Sequence, residues 1–73
     1  MILYTRHLCS ACDNVKKYLR ENKVTFEEVN IMEDMAKGLK LIEAGIRSVP
    51  VLELESGERF VGAAEINTQL AGR

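Results

Sequence analysis

The chain's two cysteines are spaced Cys9-Ser10-Ala11-Cys12. They follow a short apolar run, Met1-Ile2-Leu3-Tyr4, and open a stretch with helical periodicity. A strand that ends in C-x-x-C and turns into a helix puts the first thiol at the helix N-terminus. Unpaired backbone N–H groups and the positive end of the helix dipole favour an anion there. Thiolate gains over thiol, and thiolate is the attacking species in disulfide exchange. Cys12 lies one turn further in, within reach of Cys9 to close a disulfide. The pattern reads as a dithiol redox site, with Cys9 as nucleophile and Cys12 as resolving thiol.

Other uses of the pair fit less well. As a structural staple it would close a very short loop and stabilise little. His7, Cys9, Cys12 and Asp13 have the chemistry of zinc ligands, but structural zinc takes two separated ligand pairs. No second pair exists in the sequence, so no metal is expected. An iron–sulfur cluster bridging two chains, with one thiolate from each, stays open as an alternative, since Ser10 and Ala11 are small.

The rest of the composition excludes several classes. Seventy-three residues, 47% of them apolar, suit one small domain over residues 1–73 with one core. A net charge of −1 gives no electrostatic case for nucleic acid or an anionic membrane. No run of about 18 apolar residues is present to span a bilayer. Met1 onward reads as a strand, without a basic n-region, a long apolar h-region or a small-residue cleavage site. A dithiol kept for chemistry fits a reducing compartment, so a cytoplasmic monomer is expected.

The elements that must position the pair follow from periodicity. Met1–Thr5 reads as a buried strand. Ser10–Asn22 reads as a helix with Cys12, Val15 and Leu19 on one face, closed by Asn22-Lys23. Val24–Ile31 is strand-like. Glu33–Ala44 reads as a second helix on Met35, Leu39 and Ile42 at i, i+4 and i+7. Gly38 weakens that helix by roughly 1 kcal/mol relative to Ala, and Gly45 stops it. Val49–Leu54 and Glu58–Val61 form a hairpin about Ser56-Gly57. Ala64–Ala71 is a final helix with Ile66 and Leu70 inward. The order is βαβαββα. Its leading βαβ unit implies parallel strands with a right-handed crossover. The expected class is α/β, a four-stranded mixed sheet with helices on both faces.

That order, with C-x-x-C after the first strand, resembles the minimal thioredoxin fold of the glutaredoxin size class. Leu3-Tyr4-Thr5 followed by Cys9-Ser10-Ala11-Cys12 resembles the opening of glutaredoxins and of the small glutaredoxin-like redoxins that reduce ribonucleotide reductase. Phe26-Glu27-Glu28-Val29-Asn30-Ile31 is similar to their second strand. Gly45 to Leu52, containing Ser48-Val49-Pro50, resembles the segment that carries their cis-proline. Gly62-Ala63 is similar to the glycine pair of glutaredoxins and equally to the Val-Gly-Ala of thioredoxins. The Ser-Ala dipeptide differs from the Pro-Tyr usual in glutaredoxins and the Gly-Pro usual in thioredoxins, and the chain has no tryptophan.

The resemblance implies a thiol–disulfide oxidoreductase acting on protein or glutathione-mixed disulfides, with no bound cofactor. It implies a cis Val49–Pro50 bond and a substrate backbone paired on Val49. It gives Arg6 the place of a lysine that reads a glutathione carboxylate, with Arg47 beside the proline loop as a further cation. Gly62 and Glu65 fall where glutaredoxins hold the glutathione amino group. The reductant it implies is glutathione or a flavoprotein reductase. The alternatives are a glutathione-independent, thioredoxin-like electron donor, for example to ribonucleotide reductase, and a non-enzymatic iron–sulfur carrier.

Overall fold

A computed structural model describes residues 1–71; residues 72 and 73 of the expected domain lie outside the described residues. The elements are β1 (Ile2–Thr5), α1 (Ser10–Glu21), β2 (Glu27–Asn30), α2 (Met35–Glu43), β3 (Val51–Glu53), β4 (Arg59–Val61) and α3 (Ala63–Ala71). The βαβαββα order expected from the sequence is the order observed. One sheet runs β2-β1-β3-β4. β1 and β2 are parallel, with Leu3 opposite Glu28. β1 and β3 are antiparallel, with Tyr4 opposite Val51, and β3 and β4 are antiparallel. The sheet is therefore mixed.

Alternation along the strands builds a core on each face. Leu3 and Leu52 point to one side, where they pack with Val15 and Leu19 of α1, Ile66 of α3 and Phe60. Tyr4 and Val51 point to the other, where they pack with Val29 and with Leu41 of α2. Helices thus cover both faces, as expected. Burying each such side chain stabilises the fold by about 1.5–3 kcal/mol before chain entropy is counted.

Both α1 and α2 end in the same hydrogen-bonded turn. After α1, the Val24 N–H donates to the Leu19 carbonyl and the Lys23 N–H to that of Arg20. After α2, the Ile46 N–H donates to the Leu41 carbonyl and the Gly45 N–H to that of Ile42. This double closure satisfies carbonyls left over at the helix end and needs a left-handed residue after the cap. Gly45 takes that conformation at φ 83°, and Lys23, a residue with a Cβ, takes it at φ 56°.

Three sequence expectations are corrected. β2 begins at Glu27 rather than Val24, because Val24 and Phe26 pack into the α1 core from the connecting segment. β3 begins after Pro50, at Val51. The stripe that predicted α2 faces outward: Met35, Leu39 and Ile42 are 72%, 56% and 50% exposed. Gly38 and Leu41 are the buried positions of that helix. A Cβ on Gly38 would stand 3.2 Å from the Ile31 Cβ, so glycine lets α2 lie close on Ile31.

Candidate functional site

Cys9 is the residue that caps α1. Its backbone is extended at φ −118° and ψ 97°, and its carbonyl accepts the Asp13 N–H at 3.1 Å. Its Sγ accepts the Cys12 N–H at 3.1 Å. A side-chain acceptor at this position satisfies one of the orphan donors of the first turn, a task usually done by Ser, Thr, Asp or Asn. Here a sulfur does it, and the hydrogen bond strengthens when that sulfur is anionic. Cys9 and Cys12 are joined as a disulfide, with Cα atoms 5.2 Å apart. Cys9 retains 8% exposure and Cys12 retains 1%. Both are buried, Cys12 the more completely.

The strand register brings the proline segment to the same end of the sheet. β1 leaves the sheet at Thr5 on its way to Cys9, and the ladder with β3 ends at Tyr4 and Val51. Pro50 therefore sits where β1 exits. It is buried, and the Val49–Pro50 bond is cis, as the resemblance implied. Val49 lies beyond the ladder and is half-buried. The Gly62 N–H donates to the Pro50 carbonyl at 2.8 Å, which ties the start of α3 to this segment. Gly62 adopts φ 92°, a conformation that disfavours a Cβ.

Glu65 lies in the first turn of α3. Its Oε2 accepts the Val61 N–H at 2.8 Å, so the carboxylate is engaged at the N-terminus of its own helix. Negative charge in a first helical turn is also favoured by the helix dipole. Arg6 is exposed and lines a cavity of about 370 Å³ together with Arg47, Ser48 and Val49. Ile31, Leu41, Ile42 and Ile46 form its apolar wall. Sequence reasoning named the two arginines separately; the fold makes them share one cavity.

Two features near the dithiol were not read from the sequence. Leu8, directly before Cys9, is fully exposed and adopts φ 54°. A left-handed backbone costs an L-residue roughly 1–2 kcal/mol, so the turn into α1 holds Leu8 outward against its own preference. The second is a polar cluster at the α1–β2 edge. The buried Thr5 hydroxyl donates to Glu28 Oε2 at 2.9 Å, and Lys16 Nζ contacts the same oxygen at 3.2 Å and Asp13 Oδ1 at 3.4 Å. No local pattern marks either feature, because each depends on where β1 meets another element. His7 is exposed, with its Nδ1 3.4 Å from Asn30 Nδ2. Among the described residues, no three His, Cys, Asp or Glu side chains converge as a metal-binding group. No helix among them is long and apolar enough to cross a membrane.

Comparisons with known proteins agree with this geometry. The family model described as glutaredoxin matches residues 1–60. The chain is 29% identical over 70 residues to the N-acetyl-S-hydroxy-L-cysteine reductase of Bacillus subtilis, covering 94% of this chain and 75% of that one. It is 40% identical over 50 residues to the glutaredoxin-like protein NrdH of Lactococcus lactis, covering 68% of this chain and 69% of the relative. The crystal structure of the thioredoxin-like protein BC3987 superposes with a TM-score of 0.80 at 31% identity, covering 94% of this chain and 96% of the other.

Proposed function

The chain belongs to the glutaredoxin family and is a thiol–disulfide oxidoreductase, and from that premise we propose that it reduces protein disulfides with Cys9 attacking and Cys12 resolving. The Cys9 thiolate attacks one substrate sulfur, the substrate S–S bond breaks, and the first substrate thiolate leaves and takes a proton from water. Cys12 then gives up its thiol proton to solvent, attacks Cys9 Sγ and expels the second substrate thiolate, which is protonated in turn. The substrate gains two electrons and the protein is left with the Cys9–Cys12 disulfide. The carrying observation is the hydrogen bond from the Cys12 N–H to Cys9 Sγ, which favours charge on the outer sulfur.

The substrate backbone lies along Val49, which stands outside the sheet ladder beside Pro50. Pairing there is strand addition of the kind that gives affinity without side-chain selectivity. The same chemistry reduces a sulfenic acid, R–S–OH. The Cys9 thiolate attacks its sulfur, the S–O bond breaks, and hydroxide leaves and takes a proton from solvent to become water. Cys12 then resolves the mixed disulfide by losing its thiol proton to solvent and expelling R–S⁻. The relative named N-acetyl-S-hydroxy-L-cysteine reductase makes that substrate class relevant. No bound cofactor takes part in either sequence. A dithiol that must be kept reduced fits the cytoplasm.

Glutathione is the proposed reductant, acting weakly through Arg6, Val49, Gly62 and Glu65. A second reading is favoured by the bond between Glu65 and the Val61 N–H, which occupies the anion meant for the glutathione amino group. In that reading a flavoprotein of the thioredoxin-reductase type resets the disulfide. The test is reduction of a protein disulfide coupled to NADPH, run once with glutathione and its reductase and once with thioredoxin reductase. Cys9→Ser should abolish turnover in both; turnover that survives Cys9→Ser refutes the assignment.

A further inference from the structure

Arg6 and Arg47 line one cavity, and no carboxylate lines it. Among the described residues, neither guanidinium is within ion-pair distance of an acidic side chain. Both guanidiniums are free to pair with an incoming anion beside the apolar wall. The cavity is not closed off from the rest of the surface. Ile42 belongs both to its wall and to the outward stripe of α2, which continues through Leu39 to Met35. That stripe runs about 10 Å along the helix. Its charged neighbours on α2 are Lys37, which pairs with Asp34, and the exposed Lys40 and Glu43 of opposite sign. The helix therefore adds little net charge, and Arg6 and Arg47 set the sign of the surface.

We propose that this continuous surface docks an acidic, apolar segment of the substrate protein next to its disulfide. The inference rests on the dithiol-reductase reading above and adds the partner's chemistry to it. Carboxylates of the segment meet Arg6 and Arg47, and its apolar side chains lie on Ile42, Leu39 and Met35. The stripe extends well past the cavity that begins at Val49, which suits a polypeptide rather than a small thiol. Methionine and leucine side chains adapt to differently shaped apolar partners, so acidity and hydrophobicity are selected more than one sequence.

The test uses the reduced full chain and synthetic cysteine peptides activated as 2-pyridyl disulfides. The flanks are acidic–apolar, basic–apolar, acidic–polar and neutral–polar. Each rate of thiopyridone release is divided by the rate of the same peptide with dithiothreitol, which removes intrinsic reactivity. The acidic–apolar peptide should exceed the basic–apolar one by about fivefold, the scale of two exposed ion pairs. Arg47→Glu should cancel or invert that ratio. Leu39→Gln should narrow the gap between acidic–apolar and acidic–polar peptides. Equal normalised rates across the four peptides would overturn the docking surface and leave the dithiol chemistry standing. So would an N-acetylcysteine pyridyl disulfide that reacts as fast as the best peptide. No release from any of them would overturn the reductase reading itself.

Discussion

The backbone N–H of Cys12 points at Cys9 Sγ from 3.1 Å, so each cysteine of the pair helps define the other's state. If the bond persists on reduction it favours charge on Cys9 Sγ over Cys12, which is the more buried of the two in the disulfide form. Cys9 should therefore alkylate much faster than Cys12 at neutral pH. Timed iodoacetamide labelling with peptide mapping measures this, and equal rates would remove the basis for calling Cys9 the nucleophile.

Single-cysteine variants separate the two roles. Cys12→Ser should trap a mixed disulfide between Cys9 and the substrate, visible as a mass increase that dithiothreitol reverses. Cys9→Ser should trap nothing, because the remaining thiol is 1% exposed. Trapping on Cys12 alone would reverse the assignment.

The two faces of the helices make opposite demands on stability. Leu19 is fully buried between α1 and the sheet. Leu19→Ala should cost about 2–5 kcal/mol in urea unfolding, from lost transfer energy and the cavity left behind. Leu39 is 56% exposed, so Leu39→Gln should change stability by no more than about 0.5 kcal/mol. A large loss at Leu39 would mean that α2 buries the stripe its periodicity suggests.

That contrast shows what the sequence made legible. The order of elements, the two-sided sheet, and the strand–dithiol–helix junction all rest on local signals: alternation, helical spacing and turn residues. α2 misled because helical spacing reports one apolar face without saying what covers it. Met35, Leu39 and Ile42 carry the spacing, yet Gly38 and Leu41 meet the sheet. Gly38 read as a defect in an isolated helix, and its use appears only once Ile31 lies against it. The site followed the same division. Cys9 and Cys12 were visible as a local motif, whereas the shared cavity of Arg6 and Arg47 required residues far apart in the chain to meet.

Tyr4 offers a pH test of the second core. Burial raises its phenol above the ordinary value of 10.0, the neighbouring Glu53 carboxylate raises it further, and Arg59 partly opposes both. The hydroxyl faces Glu53 Oε2 at 3.5 Å, and Arg59 Nε holds the other carboxylate oxygen at 2.7 Å. A raised folded-state value means that the proton is bound more tightly in the folded protein. Its contribution to stability is thus fully present below about pH 10 and is lost as pH rises through the higher folded value. In a Tyr18→Phe background, phenolate absorbance should rise later in the folded protein than in urea. Coincident curves would contradict the buried, anion-facing placement.

The last prediction concerns the reductant. Glutathione needs a cation for its glycyl carboxylate, a strand edge for its cysteinyl residue and an anion for its amino group. Arg6 and Val49 are placed at the cavity, but the Glu65 carboxylate already accepts the Val61 N–H. An exposed ion pair contributes only about 0–1 kcal/mol, so a compromised anion weakens glutathione binding without abolishing it. Glutathione-dependent turnover should be weak but measurable, and Arg6→Ala should lower it by a few-fold. Glu65→Gln keeps an oxygen for the Val61 N–H while removing the charge, so it isolates the amino-group contact from the helix start. A drop in Glu65→Gln would assign Glu65 to glutathione; no drop there, with a loss of stability in Glu65→Ala, would assign it to α3 alone. Efficient reduction by a thioredoxin-type reductase, with no response to glutathione in any variant, would refute glutathione as the donor and leave the flavoprotein reading.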